Sequence, residues 1–205
     1  MPVTLEAGMV MAEAAERPRK RWTREECSLL EKAGVGELSQ YELIEGELIR
    51  KMSKNPPHVY CLHVASKLLR AIFGYDAVLQ DPSIDVSPED TPTSAPEPDL
   101  VLLRNEGMPL ASRIRAADIR LVVEVSDTTL RFDLFTKAPL YARAGITEYW
   151  VLDLNTRRVF VHREPVQGSY TKVTVYSSEE RVATLAAPEA EFAVADLFPV
   201  MAAEA

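Results

Sequence analysis

The sequence has few cysteines, no long apolar run and more acidic than basic residues. Only two cysteines occur among 205 residues, Cys27 and Cys61, so one chain forms neither a disulfide framework nor a four-cysteine zinc site. Both are predicted to be small buried side chains. No run approaches the roughly 18–20 apolar residues of a membrane span, and the N-terminus lacks the basic segment and apolar core of a secretion signal. We therefore expect a cytoplasmic protein without a membrane segment.

The charge balance argues against one kind of nucleic-acid-binding protein. The chain has 23 Lys and Arg against 31 Asp and Glu, a formal net charge of −8 at pH 7. Proteins that coat nucleic acids by bulk charge neutralise phosphates with an excess of Lys and Arg, which is absent here. The balance is compatible with an enzyme that approaches DNA through a local basic patch and offsets the remaining repulsion with metal ions.

Length and composition favour one domain with short extensions. At roughly 100–200 residues per domain, 205 residues provide for one core. We predict a flexible N-terminal tail over residues 1–21, a single domain over 22–198 and a C-terminal tail over 199–205. Thr23 and Glu26 have the spacing of a capping box and predict a helix from about Arg24 to Ala33. Glu45-Gly46 predicts the turn of a β-hairpin over residues 41–49.

Hydrophobic periodicity predicts a sheet flanked by helices. Apolar residues at three- and four-residue spacing predict an amphipathic helix from His58 to Phe73 that ends at Gly74. A second helix is interrupted by Pro139, and we place its N-cap at Thr136 so that the proline falls in the first turn. Apolar, β-branched runs predict strands over residues 77–80, 84–86, 98–103, 119–125, 148–153, 159–162 and 170–176. The predicted fold class is mixed α/β.

Several common catalytic motifs are absent. The chain has no G-x-x-x-x-G-K-[ST] phosphate loop and no G-x-S-x-G nucleophile elbow, which disfavours P-loop nucleotide hydrolysis and serine-hydrolase chemistry. The three histidines are His58, His63 and His162, and the first two would point about 140° apart on one helix. A histidine-based zinc site is therefore not expected.

Two carboxylates stand out because they lie in apolar strands. Asp99 precedes the run Leu-Val-Leu-Leu, and Glu124 interrupts another continuous apolar strand. An ionised carboxylate in such a position must be paired, exposed at a strand end or bound to a metal ion. Oxygen ligands suit Mg²⁺, which stabilises charge on a phosphodiester and lowers the pKa of an attacking water. A cap or turn role for Asp99 and an edge-strand salt bridge for Glu124 are the alternatives.

Asp99 and Glu124 also resemble a nuclease signature. Pro98-Asp99 followed by Glu124-Val125-Ser126 is similar to the PD-(D/E)XK motif of restriction-endonuclease-like nucleases, with 24 residues between the two acids. Five segments, in order, resemble the bacterial Uma-type family of restriction-endonuclease-like proteins: Tyr41–Leu48, Pro96–Leu100, Val122–Ser126, Lys137–Ala142 and Ala144–Trp150. The resemblance implies a restriction-endonuclease-like mixed sheet flanked by helices, with an N-terminal helix and β-hairpin and a β-rich C-terminal extension.

The resemblance further implies an activity. The chain would be a metal-dependent endonuclease that hydrolyses phosphodiester bonds in DNA with Mg²⁺ or Mn²⁺, by direct attack of water. Cutting two strands usually needs two active sites, so a homodimer is expected. The alternative is a catalytically inactive nuclease-fold module that binds nucleic acid or a protein partner, because Ser126 stands where the signature has a lysine. No residue separates DNA from RNA as the substrate.

By the same resemblance, individual residues acquire roles. Asp99 and Glu124 would bind the metal ion, with the Val125 carbonyl as a third ligand. Lys137 would replace the missing lysine, and would orient water or stabilise the phosphate in the transition state. Its alternative is an exposed ion pair with Asp133, which lies four residues earlier on the same helix.

Further residues have less specific signals. The predicted helix over residues 58–73 contains no acid, so Glu45 or Glu47 on the hairpin would supply an additional carboxylate. Glu97 would line the site or belong to the Pro-rich loop. Three aromatic residues are predicted to pack in the core rather than stack on bases: Tyr141, Tyr149 and Trp150. Phosphate contacts are assigned to His58, Arg50, Lys51 and Lys54, with Arg113 and Arg115 as further basic residues.

Overall fold

A computed structural model describes residues 19–104 and 113–199. The predicted tails over residues 1–21 and 199–205 lie almost wholly outside the described residues, and the single domain over 22–198 stays a prediction. No helix in the described ranges is long and apolar enough to cross a membrane.

The N-terminal part forms the predicted helix and hairpin. Helix α1 (Arg24–Lys32) begins at the capping box, in which Thr23 accepts from the backbone of Glu26 and the Glu26 side chain accepts from the backbone of Thr23. Strands β1 (Tyr41–Ile44) and β2 (Glu47–Arg50) pair antiparallel. Both turn residues have positive φ, 49° at Glu45 and 80° at Gly46, as a tight two-residue hairpin requires.

Helix α2 (Pro56–Phe73) starts two residues earlier than the periodicity predicted. Its N-cap is Asn55, whose side chain accepts a hydrogen bond from the His58 backbone N–H. The two prolines occupy the first helical positions, where a backbone N–H has no partner within the helix. Gly74, with φ of 88°, ends the helix as predicted.

A six-stranded mixed sheet forms the centre of the fold. The strands are β3 (Val78–Gln80), β5 (Leu100–Leu103), β7 (Ile119–Ser126), β8 (Glu148–Asp153), β9 (Arg158–Val166) and β10 (Ser169–Tyr176). Their order in the sheet is β10-β9-β8-β7-β5-β3. Of the five neighbouring pairs, β7 and β8 run parallel and the others antiparallel. The predicted C-terminal strands therefore extend the central sheet at one edge.

Short elements lie beside this sheet. Strand β4 (Ile84–Asp85) pairs parallel with β6 (Ile114–Arg115), so the predicted strand over residues 84–86 is outside the central sheet. Strand β11 (Arg181–Val182) pairs with β12 (Phe192–Ala193). Short 3₁₀ segments occur at Leu38–Gln40, Thr91–Thr93, Ala116–Asp118 and Val194–Leu197.

The segment that connects β7 to β8 corrects the prediction for Pro139. It is helical from Leu130 onward, as α3 (Leu130–Phe132), a π-helical turn (Asp133–Lys137) and α4 (Ala138–Arg143). Thr136 lies inside the π turn and is not an N-cap. The Ala138 N–H bonds to the Asp133 carbonyl five residues earlier, so the wider turn carries the helix past the proline without a break. Pro139 does fall in the first turn of α4.

Two apolar layers cover the faces of the sheet. Side chains alternate between faces along a strand, so Leu121, Val123 and Val125 pack on the side of α2, whereas Val122 packs on the side of α4. Glu124, two residues after Val122, points to the same face of the sheet. The sequence of β7 therefore directs one carboxylate into the layer between the sheet, α4 and the hairpin.

Candidate active site

Asp99 and Glu124 are brought together by the pairing of β5 with β7. The antiparallel register pairs Leu100 with Val123, and one further step sets Asp99 across from Glu124. Side chains of directly opposed residues lie on the same face of a sheet. The Val125 backbone N–H donates to Asp99 Oδ2 at 2.8 Å, which holds Asp99 against β7.

Lys137 reaches Glu124 from the π turn. Its Nζ lies 3.0 Å from Glu124 Oε1 and 3.0 Å from Glu42 Oε1 of strand β1. The Tyr141 hydroxyl donates to the same Glu124 oxygen at 2.9 Å. The side chains of Lys137 and Glu124 are each only 6% exposed. Lys137 is therefore a buried cation shared by two carboxylates, and not the surface partner of Asp133.

A histidine and a lysine contact Asp99. His58 Nε2, at the start of α2, lies 3.3 Å from Asp99 Oδ2. Lys54 Nζ lies 2.9 Å from Asp99 Oδ1. The other ring nitrogen of His58, Nδ1, is buried and has no hydrogen-bond partner among the described residues.

Ser126 holds a further buried acid. Its hydroxyl donates to Asp133 Oδ2 at 2.8 Å, and the Thr129 hydroxyl donates to the same oxygen at 2.7 Å. Asp133 is buried at the start of the π turn. The residue at the signature's lysine position thus anchors the turn that carries Lys137.

The charges of the site shift several pKa values in opposite directions. Burial, with the nearby charges of Asp133, Asp99 and Glu42, raises the pKa of Glu124 well above its ordinary value, against the lowering effect of Lys137. Burial also raises the pKa of Asp133. Burial opposes the charged form of Lys137, but the surrounding carboxylates raise its pKa nonetheless. Burial acts on Asp99 too, yet His58 and Lys54 lower its pKa, so Asp99 is ionised at neutral pH.

These side chains line one cavity of about 530 Å³. Seven carboxylates line it, Glu42, Asp81, Glu97, Asp99, Glu124, Asp127 and Asp133, against four cationic side chains, Arg50, Lys51, Lys54 and Lys137. His58 also lines the cavity. The acidic excess is an environment that favours an additional cation.

The carboxylate oxygens of the site are of the chemical type that binds a divalent ion. In the described ranges, no group of three His, Cys, Asp or Glu side chains is arranged as a ready cage for a metal ion. Mg²⁺ usually binds through one or two carboxylates and retains water and substrate phosphate in its shell. Asp99 and Glu124 supply such carboxylates. Among the described residues, Lys137 and Tyr141 both donate to Glu124 Oε1, so Oε2 is the oxygen proposed for an ion.

Comparisons with known proteins show the family and the fold of the chain. Residues 24–195 match the Uma2 family, described as "Putative restriction endonuclease". The chain belongs to this family. A crystal structure from Anabaena variabilis ATCC 29413, described as "a putative nuclease belonging to DUF820", has 16% sequence identity and a TM-score of 0.62, and the match covers 82% of this chain and 96% of that one. At this identity the likeness shows the fold. None of the curated proteins matches the chain.

Some residues assigned from the Uma2 resemblance lie elsewhere. Glu45 pairs with Arg143 at 2.6 Å, and Glu47 lies 3.9 Å from Arg19. Neither glutamate lines the cavity of Asp99. Arg113 and Arg115 line a separate cavity of about 1060 Å³. Arg50, Lys51, Lys54, His58, Glu97 and Val125 do line the site.

The aromatic residues are part of the core. Tyr141 and Tyr149 are fully buried and pack edge to face, with ring centroids 5.0 Å apart. Trp150 is 2% exposed and packs against Phe192. None of the three is available to stack on a base, although Tyr141 also contacts the site through its hydroxyl.

Glu42 is the hairpin acid that the sequence reasoning missed. It lies two residues before Ile44 on β1, and Ile44 is 2% exposed. Residues two apart on a strand share a face, so the burial of Ile44 implies that Glu42 faces the interior as well. Strand parity was therefore a signal for Glu42, but it does not exclude Glu47, which pairs with Ile44 across the hairpin and shares the same face.

Proposed function

We propose that this Uma2-family chain is a cytoplasmic, metal-dependent endonuclease that hydrolyses phosphodiester bonds in DNA. The observation that carries the proposal is the cavity in which Glu124 and Glu42 share one buried lysine, Lys137, and which Asp99 also lines, with more carboxylates than cations on its walls. A nuclease of this kind requires two things from the protein, carboxylates for a divalent ion and a fixed positive charge for the phosphate.

Asp99 and Glu124 are the proposed ligands of Mg²⁺ or Mn²⁺, with the Val125 carbonyl as a third. An ion held there stabilises negative charge on the phosphate and lowers the pKa of water. Tyr141 and Lys137 both bind Glu124 Oε1 and thereby orient its other oxygen. Glu42, rather than Glu45 or Glu47, is the proposed additional carboxylate, because it shares Lys137 with Glu124.

Lys137 is the proposed catalytic cation. Its contacts with Glu124 and Glu42 hold the ammonium group beside a proposed metal ligand, where it could interact with a bound phosphate, and this supports the assignment. Because nearby carboxylates raise the pKa of Lys137, it stays charged and serves to stabilise phosphate charge or orient water, not to accept a proton. Asp133, held by Ser126 and Thr129, positions the turn.

Substrate contacts are proposed at the mouth of the cavity. Arg50 ends β2, Lys51 and Lys54 lie on the segment that joins the hairpin to α2, and His58 follows at the start of that helix. Cationic side chains on one segment are suited to a DNA phosphate backbone. Since cleavage of both strands needs two active sites, we also propose a homodimer.

One observation favours the alternative of a binding module without turnover. The described carboxylates of the site are already engaged by lysines, Asp99 by Lys54 and Glu124 by Lys137. A protein that used this cavity only to bind a partner would keep those ion pairs and would not exchange them for a metal ion.

A panel of substrates separates these functions. Purified protein is incubated with supercoiled plasmid, single-stranded DNA and RNA, each with Mg²⁺, Mn²⁺ or chelator. We expect DNA cleavage that requires metal and is lost in Glu124→Gln. The matched variant Glu97→Gln removes another carboxylate of the same cavity and should cleave. Cleavage of RNA alone, or cleavage that persists in chelator, would contradict the proposal.

A further inference from the structure

Lys54 forms an ion pair with Asp99, a proposed metal ligand. Its Nζ contacts Asp99 Oδ1 at 2.9 Å, while Asp99 Oδ2 accepts from the Val125 backbone and contacts His58. Both oxygens of Asp99 are thus engaged by groups of the protein. A divalent ion that binds Asp99 through Oδ1 would compete with this ammonium group for the same oxygen and be repelled by its charge.

A second carboxylate lies within reach of the same ammonium group. Lys54 Nζ also forms an ion pair with Asp81 Oδ1. Asp81 has a left-handed backbone with φ of 50°, and its N–H donates to the Asp99 carbonyl at 3.2 Å. This backbone contact ties Asp81 to Asp99, so Lys54 has two neighbouring acceptors.

The two acceptors differ in their access to solvent. The Asp99 side chain is 10% exposed and the Asp81 side chain 54% exposed. Burial disfavours the charge of Lys54, but Asp81 and Asp99 together raise its pKa above the ordinary value. Because Asp81 is the more exposed acceptor, moving the Lys54 ammonium group toward it brings the positive charge to the mouth of the cavity.

We propose that Lys54 is a resident counter-cation of Asp99, which a divalent ion displaces onto Asp81. The inference rests on the proposed function, because it concerns the ion that Asp99 would bind. It assigns Lys54 two successive roles: it neutralises Asp99 before the metal ion arrives, and it then presents its charge at the cavity mouth to substrate phosphate. Metal binding would thereby precede tight binding of DNA.

Calorimetric titration with Mn²⁺ alone tests the displacement without any measurement of activity. In Lys54→Met no lysine has to be displaced, so we expect Mn²⁺ to bind about five-fold more tightly, equivalent to about 1 kcal/mol for the lost ion pair. Lys51→Met is the matched control, since Lys51 lines the same cavity and pairs with Glu97 at 2.6 Å without contact to Asp99. It removes the same charge and should tighten binding less than two-fold.

Asp81→Asn tests the second acceptor, and asparagine tolerates the left-handed backbone. With Lys54 present, we expect this change to weaken Mn²⁺ binding about five-fold, because Lys54 loses its alternative partner. In the Lys54→Met background its effect should fall below two-fold. Circular dichroism verifies that each variant is folded.

The outcomes separate this inference from the proposed function. Equal effects of Lys54→Met and Lys51→Met on Mn²⁺ affinity, or weaker Mn²⁺ binding in Lys54→Met, would overturn the displacement of Lys54. In that case, loss of Mn²⁺ binding in Asp99→Asn would still support the proposed nuclease site. Absence of Mn²⁺ binding in the wild-type chain and in Lys54→Met would overturn both.

Discussion

Lys137→Met is expected to destabilise the fold through the carboxylates it leaves behind. Lys137 contacts Glu124 and Glu42 at 3.0 Å each, and all three side chains are buried. Methionine has a similar length and fills the space without the charge. Removal of one partner from a buried ion pair costs about 3–5 kcal/mol, because the remaining charge has lost its compensation.

Protonation limits this cost. A carboxyl group without its partner can take up a proton, at about 1.4 kcal/mol for each pH unit above its unfolded-state pKa. With an ordinary pKa of 4.5 for Glu124, the limit at pH 7 is about 3 kcal/mol. Because Lys137 lowers the pKa of Glu124 in the wild type, its removal raises that folded-state pKa further, and the folded variant binds more protons than the folded wild type between the two folded-state pKa values. Its stability relative to the wild type therefore falls as pH rises through this window.

Urea unfolding at pH 5 to pH 8, followed by tryptophan fluorescence, measures the difference. We expect a loss of about 3 kcal/mol at pH 7 and a smaller loss at pH 5. The control Lys51→Met removes a lysine that is one-third exposed, and should cost at most about 1 kcal/mol. A Lys137→Met loss below 1 kcal/mol at pH 7, or a loss that grows toward acid pH, would refute the reasoning.

Other predictions concern single contacts. Tyr141→Phe removes a buried donor to Glu124 and should lower the free energy of unfolding by about 2 kcal/mol; no loss in urea unfolding would contradict it. Gly46→Ala forces alanine to φ of 80° with its Cβ at 2.9 Å from a neighbouring side chain, whereas Gly34→Ala meets nothing within 4 Å. The first variant should melt at the lower temperature, and equal melting temperatures would show that the close contact is unimportant. Burial raises the pKa of Cys61 to about 12, so iodoacetamide at pH 8 should label it only after unfolding, and rapid labelling of the folded protein would count against its burial.

The elements with local signals could be predicted from the sequence. The capping box before α1, the Glu45-Gly46 turn and the apolar run of β7 each depend on residues close together in the chain. Confirmation of these elements reflects the short range of capping, turn geometry and strand alternation.

The helix over residues 130–143 shows where local rules fail. Pro139 admits several local solutions, and a new N-cap at Thr136 is one of them. The observed π turn buries both Asp133 and Lys137. Asp133 then contacts Ser126 of β7, and Lys137 contacts Glu124 of the same strand. Those contacts are tertiary, so the choice between an N-cap and a π turn depends on residues that no local pattern includes.

The candidate site was predictable in part for the same reason. Asp99 and Glu124 stand out because each is a carboxylate in an apolar strand, and the register of β5 with β7 explains their proximity. Lys54 and Asp81 could not be paired with Asp99 from the sequence. Their meeting depends on how the hairpin, α2 and β3 converge on the end of the sheet.

Cleavage under single-turnover conditions tests the central claim most directly. Supercoiled plasmid is mixed with excess enzyme and Mg²⁺, and wild type is compared with Asp99→Asn and with Asp81→Asn, a matched change at the rim of the same cavity. We predict that Asp99→Asn abolishes cleavage while Asp81→Asn retains it at a reduced rate. Cleavage by folded Asp99→Asn at the wild-type rate would contradict a nuclease centred on Asp99.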